Sequence, residues 1–202
     1  MTAKTTSRRR RTSDEAKAEI LDAAEAVLLG SGPAELKFQT IAAQAGLSAS
    51  NVHHHFGGVA EIKRALVDRM LRHLASELSG TLAQSNDEGR EARMETALNN
   101  IYRIISSERY AKLVAWLALS SNVDQMAVFA EPVDVIKRLV TSELEQVMPP
   151  AKADRAAQAI VFQVAVTAVG EGLIRDFLMP VLGPDTEDID ASKLLLDMVL
   201  KA

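Results

Sequence analysis

The sequence predicts an all-α protein in which a small three-helix unit precedes a larger helical bundle. Of the 202 residues, 48% are hydrophobic and only 4% are aromatic. Alanine and leucine are abundant, and both favour helix. Apolar residues recur at helical spacing along most of the chain. Alternating β-branched segments bounded by turns, which would indicate strands, are nearly absent.

Charge is distributed unevenly along the chain. Residues 1–64 hold nine of the 23 Lys and Arg and seven of the 27 Asp and Glu, a net charge of +2. The remaining residues carry a net charge of −6, which gives −4 for the whole chain. A local positive field is compatible with nucleic-acid binding in an acidic protein.

The sequence contains no cysteine, which excludes disulfides and thiolate metal sites. With no signal core and no run of eighteen uncharged apolar residues, we expect a cytoplasmic protein outside the membrane.

Residues 1–11 are predicted to form a disordered basic arm that ends in Arg8, Arg9, Arg10 and Arg11. The arm is either a solvated tail or a segment that follows DNA phosphates and enters a minor groove.

The first helix is predicted to start at a capping box, in which Thr12 and Glu15 satisfy each other's backbone amides. Its apolar stripe includes Ile20, Ala24 and Leu28, and the glycine- and proline-rich stretch 30–33 ends it.

Two short helices around a tight turn are predicted between residues 37 and 56. Phe38, Ile41, Ala42 and Ala45 form one apolar stripe, and Gly46 can adopt the left-handed conformation that turns the chain. Ser48 is a natural N-cap for a second helix from Ala49 to about His55. The outward face of that helix carries small or hydrogen-bonding side chains and no carboxylate, as a helix that reads bases in a groove requires: Ala49, Ser50, Asn51, His53 and His54.

From about residue 14 to 66 the chain resembles the tetracycline-repressor (TetR) family of bacterial regulators. The matching motifs are Ile20-Leu21-Asp22-Ala23-Ala24, Thr40-Ile41-Ala42, Ala45-Gly46-Leu47-Ser48 and His55-Phe56. The resemblance implies a helix-turn-helix DNA-binding domain over 12–58 and an effector-binding and dimerisation domain over 59–202. It also implies a homodimer on a palindromic double-stranded DNA operator. Two positions depart from the family pattern, where His53 replaces a phosphate-contacting tyrosine and Val59 replaces a lysine.

Two sets of residues are predicted to contact DNA. Bases or phosphates would be contacted by the second short helix and its cap: Ser48, Ala49, Ser50, Asn51, His53 and His54. Lys37, Thr40 and the arginine arm would hold the backbone.

Six further helices are predicted, at about 59–79, 90–106, 108–121, 132–148, 152–178 and 190–201. A polar loop is expected at 80–89, and Pro132 suits a first helical turn. Pro180, Gly183 and Pro184 are expected to separate the last two helices.

The stretch Ala156–Val169 is apolar nearly all round and must be covered on more than one side. Together with Leu194, Leu195, Met198 and Val199 it is the candidate for a two-fold dimer interface. The alternative is a wholly internal helix.

Five large side chains of the second region are either core or the lining of an apolar effector cavity: Tyr102, Trp116, Met126, Phe129 and Phe162. The family resemblance favours the cavity.

We expect no catalytic site, no metal and no cofactor. Consecutive helical residues point about 100° apart, so His53, His54 and His55 cannot share one ion as an i, i+4 pair could. The sequence has no glycine-rich phosphate loop, Glu-x-x-His pair or serine elbow, and Glu171 and Arg175 suit a helix-surface ion pair.

These observations predict a sequence-specific transcriptional regulator, a repressor released by an apolar small-molecule effector. The alternative is a small-molecule-binding helical protein of the same fold that no longer binds DNA, since two phosphate-contacting residues of the family are replaced.

Overall fold

The computed structural model describes residues 12–83, 90–120, 129–183, 190 and 193–194. Within these residues the chain forms helices and no strand, which confirms the predicted fold class. The helices are α1 Ser13–Ser31, α2 Phe38–Ala45, α3 Ala49–Phe56, α4 Val59–Ala83, α5 Arg90–Ile105, α6 Glu108–Leu119, α7 Ala130–Leu144 and α8 Pro150–Leu182, with a 3-10 turn at Pro33–Glu35. The chain divides into two compact units between Val67 and Asp68.

In the first unit, α1 packs against both α2 and α3, which also pack against each other. The predicted capping box starts α1: Glu15 N–H donates to Thr12 Oγ1 over 3.2 Å, and Thr12 N–H donates to Glu15 Oε2 over 2.8 Å. Ile20, Ile41 and Val52, one from each helix, are fully buried. These apolar contacts hold the two short helices in place.

The division between the units falls inside α4. Ile62 and Leu66 on its first turns are fully buried and belong to the first unit. The boundary predicted at residues 58 and 59 is earlier, at the glycine joint where α4 begins. Glycines mark the turn, but the buried side chains of the next two helical turns determine where the first unit ends.

In the second unit, α8 packs against α5, α6 and α7. One buried cluster joins Leu98, Val140 and Ala157, and another joins Tyr102, Val164 and Ala168. The buried side of α8 consists largely of alanine and valine, whose small side chains allow neighbouring helices to approach closely.

One close approach in the second unit is at Gly172 of α8. A Cβ placed there would overlap the backbone carbonyl of Ser106 and the Cβ of Ala111. Glycine is therefore required at this position by space, since the turn between α5 and α6 lies directly against the α8 backbone.

Three predicted helix ends were wrong, and one of them is that of the helix predicted at 132–148, which ends at Leu144. Residues 80–83, predicted as loop, continue α4, because a single glycine in a long helix costs only about 1 kcal/mol. Pro180 lies inside α8, which continues to Leu182. Its missing N–H removes one i→i−4 hydrogen bond, and only two helical residues follow it. Residues 84–89 and most of the final helix predicted at 190–201 lie outside the described residues. Within 190–201 the structure describes Asp190, Lys193 and Leu194, of which Lys193 and Leu194 are helical.

Candidate functional site

The turn between α2 and α3 has the predicted left-handed geometry. Gly46 has φ 64° and ψ 31°. Leu47 N–H donates to the Ala42 carbonyl over 2.9 Å, and Gly46 N–H donates to the Ala43 carbonyl over 3.2 Å. These bonds satisfy the last carbonyls of α2 and set the direction in which α3 leaves the turn.

Ser48 caps α3 as predicted. Its Oγ accepts a hydrogen bond from Asn51 N–H over 3.2 Å and lies 3.0 Å from Ser50 Oγ. Ser48 Oγ caps this one amide, and the other backbone N–H groups in the first turn of α3 receive no hydrogen bond from it. The positive end of the helix dipole therefore remains available to an anion.

One face of α3 is buried and the opposite face is exposed. Val52 is fully buried, and His55 and Phe56 are half-buried. The five residues predicted to face outward are all exposed: Ala49, Ser50, Asn51, His53 and His54. Because α3 contains no acidic residue, this face carries no charge that would repel phosphate.

The histidine rings of α3 are in contact with other rings. The His53 ring lies 5.4 Å from the Phe38 ring of α2, at 43° between planes, and His54 lies edge-on to His55 at 5.5 Å. A ring held in this way loses less conformational freedom on binding than a free side chain. His53 can therefore donate a hydrogen bond from a restrained position where the family pattern has tyrosine.

Lys37 and Thr40 lie at the start of α2. Lys37 is the N-cap residue, and its Nζ is 3.1 Å from Glu35 Oε1, with both side chains about half exposed. Such a pair is weak in water, so Lys37 can exchange Glu35 for a phosphate. Thr40 and Val59 are half-buried, and the hydrocarbon side chain of Val59 has no donor. Arg8, Arg9, Arg10 and Arg11 lie outside the described residues.

A cavity of about 160 Å³ lies within the second unit. Residues from the second half of α4 and from α5 to α8 line it, and among the described residues every lining side chain is a hydrocarbon. Representative lining residues are Leu74, Ile101, Val114, Phe129, Val161 and Ala165.

The five residues predicted to line an effector pocket occupy different places. Phe129 lines this cavity. Tyr102 is buried in the neighbouring cluster with Val164, and Trp116 is half-buried away from the lining. Phe162 is 68% exposed on the other side of α8. Met126 lies outside the described residues, and effector binding by any of these residues stays a prediction.

Glu171 and Arg175 form the predicted i, i+4 ion pair, which is part-buried where a surface pair was expected. The Glu171 side chain is only 17% exposed, and its Oε2 also accepts a hydrogen bond of 2.6 Å from the Tyr102 hydroxyl. Burial, together with this bond to a carboxylate, raises the pKa of Tyr102 above its ordinary value. Tyr102 and Glu171 therefore join α5 to α8 beside the cavity. The sequence could not show this contact, because the two residues are 69 positions apart.

The outer side of α8 carries an exposed apolar stripe. Its members recur at spacings of four or seven residues, which places them within about 100° of one another around the helix: Phe162, Val166, Leu173, Phe177 and Val181. The interface stretch predicted from the sequence is Ala156–Val169, whereas the exposed stripe continues to Val181. By length and composition α8 could also cross a membrane, with mean hydropathy 1.5 in its most apolar window. A helix that packs within a bundle can pass the same test, and α8 packs against α5, α6 and α7.

Comparisons with known proteins agree with this geometry. The family model described as bacterial regulatory proteins, tetR family, matches residues 20–69, which include α2, α3 and the turn between them. The HTH-type transcriptional regulators BetI of Brucella canis and Brucella suis are each 25% identical to this chain over 185 residues, covering 89% of it and 86% of the relative.

Solved structures share the fold over nearly the whole chain. A TetR-like regulator from a Rhodococcus species has a TM-score of 0.66 at 17% identity, covering 95% of this chain and 97% of that one. The fatty acid degradation regulator FadR of Bacillus halodurans has a TM-score of 0.65 at 14% identity with the same coverage. At these identities the likeness concerns the fold.

Proposed function

We propose that this chain, which belongs to the tetR family of bacterial regulatory proteins and is a DNA-binding transcriptional regulator, is a repressor. It would bind a palindromic operator as a homodimer and be released by an apolar small molecule. Proteins of this family are regulatory, and in general they work in the cytoplasm. The proposal assigns no catalytic step and no cofactor to either unit.

The exposed face of α3 is the observation that carries this proposal. Asn51 presents an amide that can both donate to and accept from adenine, and His54 presents ring nitrogens to a base or phosphate. Ala49 and Ser50 are small enough to let the helix backbone approach the groove. With Val52 buried behind them, these side chains project from a rigid support.

The remaining predicted contacts would position the protein without reading sequence. Ser48 and the first amides of α3 lie where a helix N-terminus can bind phosphate. Lys37, Thr40 and His53 would contact the backbone on either side, and the arginine arm would add salt-sensitive attraction.

The apolar stripe of α8 supports a homodimer. It runs about 28 Å along the helix, from Phe162 to Val181, on the side opposite to buried Ala157 and Ala168. Water contact with so many large apolar side chains is unfavourable, at about 25 cal/mol per Å². A second copy of the same stripe, related by a two-fold axis, would cover it and produce the symmetry that a palindromic operator requires.

The position of α4 supports a coupling between effector and DNA. This helix begins in the first unit and ends in the second, where its Leu74 and Leu78 line the cavity. A ligand that displaced these side chains would shift α4. A coupling of about 1–3 kcal/mol would then weaken operator affinity by about 5- to 150-fold.

A binding assay with the DNA that flanks the gene tests the proposal. Asn51→Ala combined with His54→Ala should weaken specific binding by about 30-fold to 20,000-fold, since each lost base contact costs about 1–3 kcal/mol. Non-specific binding, which depends on phosphate contacts, should change far less.

The matched control is His73→Ala, which removes an exposed histidine from α4 within the second unit and should leave operator affinity unchanged. Unchanged specific binding by the double variant would contradict the assigned reading face. If the unaltered protein binds no DNA even at low salt, repression itself is contradicted.

A further inference from the structure

The chemistry of the cavity walls restricts what can enter the cavity. Leu74, Leu78 and Ile105 face it from α4 and α5, and Val161 and Ala165 face it from α8. None of these side chains can donate or accept a hydrogen bond, and none is charged. A hydroxyl, amine or carboxylate placed among them would lose its bonds to water and gain none. In the described part of the cavity wall, a cation would also find no carboxylate and no aromatic cage to compensate for desolvation.

The volume of the cavity restricts the size of the occupant. A dry protein cavity of about 150 Å³ with Leu, Ile and Phe walls binds benzene, a molecule of six carbons. At about 160 Å³, this cavity has room for about six to seven carbon atoms without rearrangement.

Among the described lining residues, Val133 marks an exposed rim of the cavity. Val133 on α7 is 41% exposed although it also lines the cavity, whereas Leu98, Ile101 and Val164 behind it are buried. A ligand that enters past Val133 can leave one end in water while its other end is enclosed.

We propose that the effector inserts an unsubstituted hydrocarbon end of about six to seven carbons into this cavity and holds its polar group outside, at the Val133 rim. This inference rests on the proposed function, because it specifies the chemistry of the effector. It excludes ligands whose enclosed part carries a hydroxyl, an amine or a charge.

The affinities of straight-chain alcohols for the purified full-length protein test the size of the enclosed hydrocarbon and the exclusion of polar groups from the cavity. Each enclosed methylene adds about fourfold in affinity, the equivalent of 0.8 kcal/mol. Calorimetric affinity should therefore rise about fourfold per carbon from butanol to hexanol or heptanol and then level off, as additional carbons pass the rim.

A second hydroxyl tests the absence of polar partners. Hexanediol with a hydroxyl at each end should bind about 5-fold to 150-fold more weakly than hexanol, since one hydroxyl must enter the dry cavity. Equal affinity of the two compounds would overturn the inference, as would a steady rise in affinity well beyond seven carbons.

Two substitutions of lining residues test whether the alcohols bind in this cavity. Ala165→Leu fills part of it and should move the plateau about three carbons lower. Val161→Ala enlarges it and should move the plateau one or two carbons higher. Ala151→Leu, on the exposed first turn of α8, adds the same side chain outside the cavity and should change nothing. A plateau that neither cavity variant moves would overturn the inference even if the alcohols bind.

Operator binding measured in the same samples separates this inference from the proposed function. If alcohols bind as described but operator affinity stays constant, the cavity chemistry is correct and release by an effector is not. If no alcohol binds while the operator does, the regulator is supported and the proposed effector chemistry is overturned.

Discussion

α3 and α8 both bury one face and expose the other, but their exposed faces differ in chemistry. The exposed face of α3 carries Asn51, His53 and His54, which hydrogen-bond to water until DNA replaces it. The exposed face of α8 carries Phe162 and Phe177, at 68% and 73% exposure, which gain nothing from water. A polar face is stable without its partner, whereas an extended apolar face favours permanent cover. The comparison predicts reversible contact at α3 and constitutive contact at α8.

The largest expected effect comes from making the α8 face resemble a polar one. Val166→Glu together with Phe177→Glu should weaken self-association by about 1,000-fold or more, because four apolar side chains per dimer are lost and charges replace them. Light scattering over a dilution series measures the change. Gln158→Glu, exposed on the same helix but outside the stripe, is the control. A double variant as dimeric as the control would contradict the interface.

The next largest effect is expected where α8 meets the turn before α6. Gly172→Ala should lower the free energy of unfolding by about 3 kcal/mol, since the new Cβ overlaps the Ser106 carbonyl. Gly170→Ala is the matched control, because its Cβ would meet nothing within 4 Å. The control should gain about 0.5–1 kcal/mol from helix propensity. Urea unfolding at one protein concentration measures the free energy of unfolding of both variants. Equal free energies would show that the α8 backbone at Gly172 does not lie close to the Ser106 carbonyl.

A moderate effect is expected from the polar link between α5 and α8. Tyr102→Phe should cost about 2 kcal/mol near neutral pH, because Glu171 loses a hydrogen bond while remaining mostly buried. The raised pKa of Tyr102 means that its stabilisation is complete below the unfolded-state pKa of about 10 and is lost as the pH rises above it. The difference between the two proteins should therefore shrink above about pH 10. A difference that grows there would contradict the assignment.

The smallest effect is expected at the cap of α3. Ser48→Ala should lower the free energy of unfolding by about 1 kcal/mol, since Asn51 N–H loses its side-chain acceptor. Ser76→Ala, on an exposed turn in the middle of α4, should instead be neutral or slightly stabilising. Thermal melting compares the two variants, and equal midpoints would show that the cap contributes little.

Local signals predicted the first unit well and the second unit less completely. The Thr12 capping box, the left-handed Gly46 and the Ser48 cap were each predicted from residues within four positions of one another, and all three are confirmed. Each is a hydrogen bond or a backbone preference that a short peptide already contains. In the second unit the sequence indicated helices and an apolar α8, but it did not indicate which face of α8 would be covered.

The walls of the cavity were predicted only in part. The prediction selected large aromatic side chains, yet the cavity is lined mainly by Leu, Ile and Val, and Phe129 is the one predicted residue among the described lining residues. A cavity is space that packing leaves unfilled, so its walls depend on how five helices meet and on no property of any single residue. The Tyr102–Glu171 bond and the crowding at Gly172 have the same origin.

By itself, the sequence determined the all-helical class, the turn geometry around Gly46 and the uncharged exposed face of α3, because short-range hydrogen bonding and periodicity specify them. Only the tertiary structure decided that Glu171 is part-buried against Tyr102, that Gly172 must lack a Cβ, and that one side of α8 is exposed in the part of the chain that the structure describes. These features arise between residues far apart in the chain, where excluded volume and burial select the arrangement after the helices have formed.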